Sequence, residues 1–335
     1  MKKAIVLALS LVMALGLTAC GGNTDGSAAS SAAASSAVSA PVEPVQLTLV
    51  TGDITGTYYE VGSAMQEVLN EQLTLCQLDV ESTGGSKANV NLITDGEAEM
   101  AILQSDVISY AHTGTNAFAD TGVEDNALWV AGLYNETVHI VAAEGITDVS
   151  QLAGKRVCLG DIGSGTRVIA EQILAAYGMT IDDVDAVYDS FRDSMEALAQ
   201  GEIDAAFTVA GAPTPAITEL AAANKFSMIS LTDDALAYIG SHFPFLIQDN
   251  LPAGTYEGIG EEIKCVAVQA ALVAADTISE EAVYELVKTM FDNKAELEAV
   301  HAKFQLLNAG DTISSASVAL HPGAETFYKE IGMLK

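Results

Sequence analysis

The sequence predicts an α/β protein built from two similar α/β domains joined by a two-strand hinge, and three observations carry that prediction. A strand, a small polar or glycine loop and a helix start recur in the same order in both halves of the chain. About 290 residues follow the N-terminal region, enough for two cores of ordinary domain size. Apolar runs near residues 139–141 and 266–268 lead the chain out of one half and back into it, which makes two connections where tandem domains need only one.

The chain opens with Lys2 and Lys3, an apolar run over 4–19, and Leu17-Thr18-Ala19-Cys20. Charged start, short apolar run, small residues and cysteine stand in the order of a bacterial lipoprotein leader cleaved before Cys20, which then carries the lipid. An uncleaved N-terminal anchor is the alternative and gives nearly the same topology. Residues 21–45 are rich in Ser, Ala and Gly and end near Pro41 and Pro44. They hold too little apolar surface to offset their conformational entropy and are expected to form a flexible tether.

The first half reads as a strand over 47–50, a loop over 51–56 and a helix over 57–70. A strand over 78–81, a loop over 82–86 and a helix over 87–95 follow, and then a strand over 100–103 that ends in Gln104-Ser105-Asp106. Strands over 128–134 and 138–143 separate this half from the next. There RVCLGDIGSGTRVIAEQILAAYG (156–178) repeats the strand, glycine turn and helix start, with Gly178 as the stop. A strand over 186–188 with a Ser-led turn and a strand over 205–209 ending in Ala210-Gly211-Ala212-Pro213-Thr214-Pro215 complete the duplication. Beyond it come a strand over 228–231, a helix over 233–239, a loop-rich section over 241–262, a strand over 266–273 and helices over 280–291 and 293–304.

The first N–H groups of a helix lack internal partners and sit at the positive end of its dipole, so they can hold an anionic group by main chain alone. In the second half Ser164 and Thr166 add hydroxyl groups there, with Arg167 close by. A nucleotide P-loop is excluded because Thr166 and Arg167 stand where Lys and Ser or Thr are required. A nucleophile elbow fails because Ile162 and Thr166 occupy the positions of its two glycines. A glycine turn that only packs helix on strand is the plain alternative; the second copy of the pattern favours a site at the carboxyl ends of the strands.

Composition sets further bounds. The chain holds 45 acidic and 14 basic residues, a formal charge of −31, which excludes nucleic acid as a partner and describes a solvated acidic surface. Its only arginines are Arg156, Arg167 and Arg192. With Cys20 reserved for lipid, Cys76, Cys158 and Cys265 show neither disulfide-framework nor metal spacing, and the five histidines are scattered. No spacing supplies a nucleophile, a base and an orienting group, so an enzyme is not expected.

The segments GTYYEVGSAMQEVLN (56–70), ESTGGSKANVNLITDGEAEMAILQSD (81–106), HIVAAEGITDVSQLAGKRVCLGDIGSGT (139–166), GEIDAAFTVAGAPTPAITEL (201–220), LPAGTY (251–256) and LHPGAETFYKE (320–330) together resemble the TAXI family, the extracytoplasmic solute receptors of TRAP-type, ion-driven transporters. The resemblance runs over nearly all of residues 46–335. It implies a type II-like, two-lobed periplasmic-binding-protein fold, with lobe I over 46–138 plus 267–335 and lobe II over 139–266. It further implies a monomer without cofactor that captures a small carboxylate of the glutamate, glutamine or 2-oxoglutarate type. The loaded receptor, lipid-anchored outside the cytoplasm, then docks on TRAP-type membrane permease subunits. A substrate-binding lipoprotein of an ABC importer and a ligand-presenting sensor partner are the alternatives.

Carried onto this chain, the family's pocket falls on Thr57, Tyr58 and Tyr59, on Thr83, Gly84 and Ser86, on Gln104, and on Ser164, Gly165 and Thr166 of the opposite lobe. Gly211, Pro213 and Thr214 match its glycine-proline segment. Arg192 is a local reading, either an anion clamp or a surface residue near a helix start. Asp53-Ile54-Thr55 interrupt a loop that is richer in glycine in the family. An inward Asp53 repels a carboxylate or binds an amino group.

Overall fold

Alternation along the strands organises the architecture, because each strand places successive side chains on opposite faces of a sheet that is covered on both sides. The computed structural model describes residues 43–223 and 225–335. The leader over 1–20, the lipidation assigned to Cys20 and the tether up to residue 42 lie outside the described residues.

The first half comprises β1 (Val45–Val50), α1 (Thr57–Leu69), β2 (Cys76–Glu81), α2 (Ser86–Thr94), β3 (Met100–Gln104) and α3 (Ser105–Thr113). The long β4 (Ala127–Ala142) leads to β5 (Arg156–Cys158), α4 (Gly165–Ala176), β6 (Asp185–Val187), α5 (Phe191–Gln200), β7 (Ala205–Ala210) and α6 (Pro215–Ala223). After β8 (Ser227–Met228), α7 (Asp233–His242) and β9 (Ile247–Leu251), the chain returns through β10 (Ile263–Ala275). It closes with α8 (Glu280–Asp292), α9 (Lys294–Val300), α10 (Ala309–Ser314) and α11 (Pro322–Glu330).

The described strands form one sheet in the order β2-β1-β3-β10-β4-β7-β5-β6, with β8 and β9 pairing off this path. β1 runs parallel to β2 and β3, and β5 runs parallel to β6 and β7. Between these blocks β4 and β10 pair antiparallel, from Ala267↔Thr137 to Ala275↔Ala127, and each also pairs antiparallel with its outer neighbour. Leu133 is the extra residue of a bulge between the Ala270↔Tyr134 and Ala271↔Gly132 pairs.

Four apolar clusters occupy the two faces of the two blocks. Leu49 and Ile102 face one cluster of the first block while Val50, Ala101 and Leu103 face the other. In β7, Ala205, Phe207 and Val209 face one cluster of the second block and Ala206 the other.

Several elements differ from the sequence-based expectation. The strands expected over 128–134 and 138–143 are one strand that ends at Ala142, because the polar pair Asn135-Glu136 that breaks the apolar pattern continues the ladder to Gln269 and Val268. The helix expected over 293–304 ends at Val300. His301 adopts extended backbone (φ −142°, ψ 123°), and a 3₁₀ turn follows over Ala302–Leu306. The loop-rich section contains β9, an edge strand on β10. The C-terminal α11 starts at Pro322, where a missing N–H costs nothing, behind a His321 cap that accepts from the Gly323 amide.

Phe207 is fully buried in β7. Phe207→Ala is expected to lower the unfolding free energy by about 3–5 kcal/mol, the range for a truncated buried aromatic, as read from the shift of a urea denaturation midpoint.

Candidate functional site

Parallel strands point their carboxyl ends the same way, so the helices that follow them begin around a common space. Here that space is a cavity of about 70 Å³. Its walls come from the loop and start of α1 (Gly52, Asp53, Gly56, Thr57, Tyr58), the start of α2 (Thr83, Gly84, Gly85, Ser86) and Gln104 at the end of β3. The facing half supplies Asp161, Ser164, Gly165 and Thr166 before and within α4, Asp189, Ser190 and Phe191 at α5, and Val209 and Ala210 at the end of β7. Glu136 of β4 completes the lining.

The two halves touch directly around the cavity. The Lys87 and Ala88 amides donate to the Gly163 carbonyl at 3.0 and 3.1 Å, and the Phe191 amide donates to Asp53 Oδ2 at 3.1 Å. Thr57 Oγ1 donates to the Gly211 carbonyl at 3.2 Å, and Lys303 Nζ donates to the Ala212 carbonyl at 2.8 Å. An added Cβ at Gly165 would lie 1.9 Å from Gln104 Oε1, and one at Gly211 would lie 2.5 Å from Lys303 Cε, so either substitution would displace the facing side chain.

Hydroxyls near the cavity are largely committed to the protein. Ser164 Oγ donates to the Asp161 carbonyl at 2.7 Å and accepts from the Arg167 amide, capping α4. Thr83 Oγ1 is engaged with Thr51, Asn89 and the Gly85 amide, and Ser86 Oγ accepts from the Gln104 amide. Ser190 Oγ caps α5 through the Asp193 amide. What remains for a guest is the Thr166 hydroxyl, the Gln104 side-chain amide and the first-turn amides, above all those of α1 and α4.

Beneath the cavity Tyr58 donates its hydroxyl to Glu136 Oε2 at 2.6 Å, with both residues buried. Desolvation pushes the Glu136 carboxyl well above its ordinary range, against the Tyr58 hydrogen bond and the field of Lys303, which pull it down. Lys303 stacks 5.7 Å from the Tyr134 ring, and burial lowers its pKa. Asp106, at the start of α3, is 1% exposed, and neither carboxyl oxygen has a hydrogen-bond partner; burial raises its pKa to about 7 despite the pull of the Val107 and Asp106 amides. His139 lies in the opposite situation. Its buried ring, held between the Thr208 carbonyl and the Tyr256 hydroxyl, has its pKa lowered to about 4 by desolvation.

The structure brings Thr57, Tyr58, Thr83, Gly84, Ser86, Gln104, Ser164, Gly165 and Thr166 to one cavity, with Asp53 facing inward. Tyr59 instead lines a separate groove with Gln66 and Asp79. Arg192 lies in an outer groove between α5 and α6, among Met195, Glu196 and Glu219, and does not line the cavity. Gly211, Pro213 and Thr214 do not line the cavity; Pro213 is exposed, and Thr214 is fully buried, its amide donating to the Tyr256 hydroxyl. Sequence reasoning passed over Asp161, Asp189, Phe191 and Glu136 as site residues. A charged residue between two apolar runs was the available signal for Glu136, and an acidic residue just before a Ser helix cap was the signal for Asp189.

Two α/β blocks facing each other across a cavity, joined by two strands, define the two-lobed periplasmic-binding-protein class. The chain belongs to the NMT1-like family, which matches residues 49–332. Its fold is similar to that of PhnD1 from Prochlorococcus marinus, solved with methylphosphonate. The two share 12% identity over 87% of this chain and 100% of that one, with a TM-score of 0.53. A periplasmic transporter structure is similar at 14% identity over 87% and 93% of the two chains, with a TM-score of 0.51.

The buried ionisable groups give opposite pH dependences. Asp106, raised, costs nothing below the unfolded value near 4 and its full penalty above 7; His139, lowered, costs nothing above 6.5 and its full penalty below 4. The two slopes largely cancel in the parent, so the difference between variants is the informative quantity. Between pH 4 and 7, Asp106→Asn is expected to gain about 4 kcal/mol on the parent, measured by denaturant unfolding across that range. A pH-independent difference would mean that the Asp106 carboxyl is held ionised.

Proposed function

We propose that this protein is an extracytoplasmic solute-binding receptor, not an enzyme, whose two lobes close over a small solute and present it to a membrane permease. The observation that carries this reading is the cavity itself, walled by helix starts from both blocks and bordered by hydrogen bonds from one block to the other. A solute seated there contacts both blocks only when they are together, so its affinity for the closed arrangement exceeds that for the open one and drives closure. The boundaries are lobe I over 46–138 plus 267–335 and lobe II over 139–266, with β4 and β10 as the hinge. A lipid on Cys20 and a tether that ends before β1 begins at Val45 keep the receptor at the membrane, raising its local concentration at the permease.

Family membership and the solute-bound PhnD1 neighbour support the receptor reading. For the permease, an ABC importer fits these comparisons better than the TRAP-type partner, which rests on sequence resemblance alone. Genes adjacent to this one decide the matter: ATPase and permease genes support the importer, and paired TRAP membrane-subunit genes support the resemblance. A small carboxylate is likewise the ligand of the resemblance. The cavity lining supports it only through neutral donors, since among the described residues no lysine, arginine or histidine lines the cavity.

The receptor reading is tested by a thermal-shift screen of the full chain against amino acids, diamines, mono- and dicarboxylates, sugars and phosphonates. A ligand at about 100 times its Kd should stabilise the native state by about 2.7 kcal/mol, and small-angle scattering with that ligand should show a smaller radius of gyration. A screen without hits, or binding without contraction, counts against the reading.

A further inference from the structure

The receptor reading leaves the solute's charge open, and the lining narrows it. Asp53, Glu136, Asp161 and Asp189 all line the cavity without a basic residue among the lining. Two of the four are largely used by the protein. Asp53 accepts from the Thr55 amide and hydroxyl through Oδ1 and from the Phe191 amide through Oδ2, and Glu136 accepts from Tyr58. The other two are not. Among the described residues, Asp161 accepts only from the Gly163 amide, through Oδ1, and no group donates to either carboxyl oxygen of Asp189. Like-charge neighbours surround Asp189. Desolvation first, then the carboxylates of Asp193 and Asp161, hold its pKa above the ordinary value.

A second, independent observation comes from Gln104. It is 2% exposed, it lines the same cavity, and its Oε1 has no hydrogen-bond partner. A buried acceptor left unpaired is costly, and the cost is removed by a donor that arrives with the ligand. Lys303, whose field Glu136 feels, does not line the cavity; its ammonium is bonded to the Ala212 carbonyl. Thus the lining holds unpaired acceptors from Asp161, Asp189 and Gln104, while its free donors, the amides at the starts of α1 and α4, the Gln104 side-chain NH2 and the Thr166 hydroxyl, are all neutral. An ionised carboxylate has no hydrogen to give those acceptors. A dicarboxylate would bring two negative ends to a lining with four carboxyl groups and no cation.

Building on the receptor reading, we infer that the solute carries a protonated amine, received by the oxygens of Asp161, Asp189 and Gln104, and at most one anionic group, placed against the amides of α1 and α4. Monoamines, diamines and neutral amino acids meet this description. Dicarboxylates, 2-oxo acids and acidic amino acids do not.

The test uses calorimetry on the full chain with L-alanine, L-glutamine and putrescine as amine probes, pyruvate, glutarate and 2-oxoglutarate as anions, L-glutamate as the acidic amino acid, and D-glucose as the neutral control. Binding by at least one amine probe and by none of the others is the expected result. Asp189→Asn and Asp161→Asn, which keep shape and turn acceptors, should each weaken that binding about 10- to 100-fold, the range for a hydrogen bond to a charged group. Their ligand-free melting temperatures should stay near the parent's, which separates a binding defect from misfolding. Binding by the anions, L-glutamate or glucose overturns the inference and leaves the receptor reading standing. Amine binding that survives both substitutions overturns the assignment of the acceptors. No binding by any probe overturns the inference, and the receptor reading then stands or falls on the wider thermal-shift screen.

Discussion

A parallel strand followed by a helix leaves the first amides of that helix unpaired at the strand's carboxyl end, and this constraint governs the molecule. Chains usually meet it locally with a capping hydroxyl. Ser164 and Ser190 do so at α4 and α5, whereas α1 begins after Gly56 and α2 after Gly85, neither of which has a side chain to offer. Part of the demand is met across the gap: the Gly163 carbonyl accepts from the second and third amides of α2. The close approach of the two halves and the incomplete capping of their helices are therefore one fact seen twice.

Electrostatics around the cavity runs in two directions. Helix starts make the amide side positive, while aspartates and a buried glutamate make the rest negative. Carboxyl groups dominate the side chains of the lining, and desolvation leads the upward shifts of Glu136 and Asp189. The overall charge of −31 has no part in this distinction. It describes a surface in water, where screening weakens each charge within about 10 Å at ordinary salt.

Much of this architecture was legible in the chain. Alternation in β1 and short apolar runs in β3 and β7 marked those strands, and the run from Gly160 to Gly165 marked the turn into α4. The pairing of α1 with α4 at one cavity followed from the repeated strand, loop and helix start. What sequence could not convey was which polar residues become buried. Asn135-Glu136 looked like a break between strands because a charged residue ordinarily faces water; Tyr58, 78 positions earlier, provides the partner that lets the strand continue. Arg192 read either as an anion clamp or as a surface residue near a helix start, and the second holds. The helix rotates it outward, and its neighbour Phe191 takes the position on the cavity wall. Edge strand β9 escaped notice because three of its five residues, Gln248, Asp249 and Asn250, are polar.

The pairing of β4 with β10 bears on how such a molecule can be taken apart. Asn135 stands opposite Gln269 and Glu136 opposite Val268, so the chain departs for the second block and comes back at adjacent rungs of one ladder. Everything between those rungs is, in covalent terms, a very long hairpin loop. A short turn joining the two strands at that level would keep the ladder from Ala127 to Tyr134 while removing every residue that the second block places on the cavity wall.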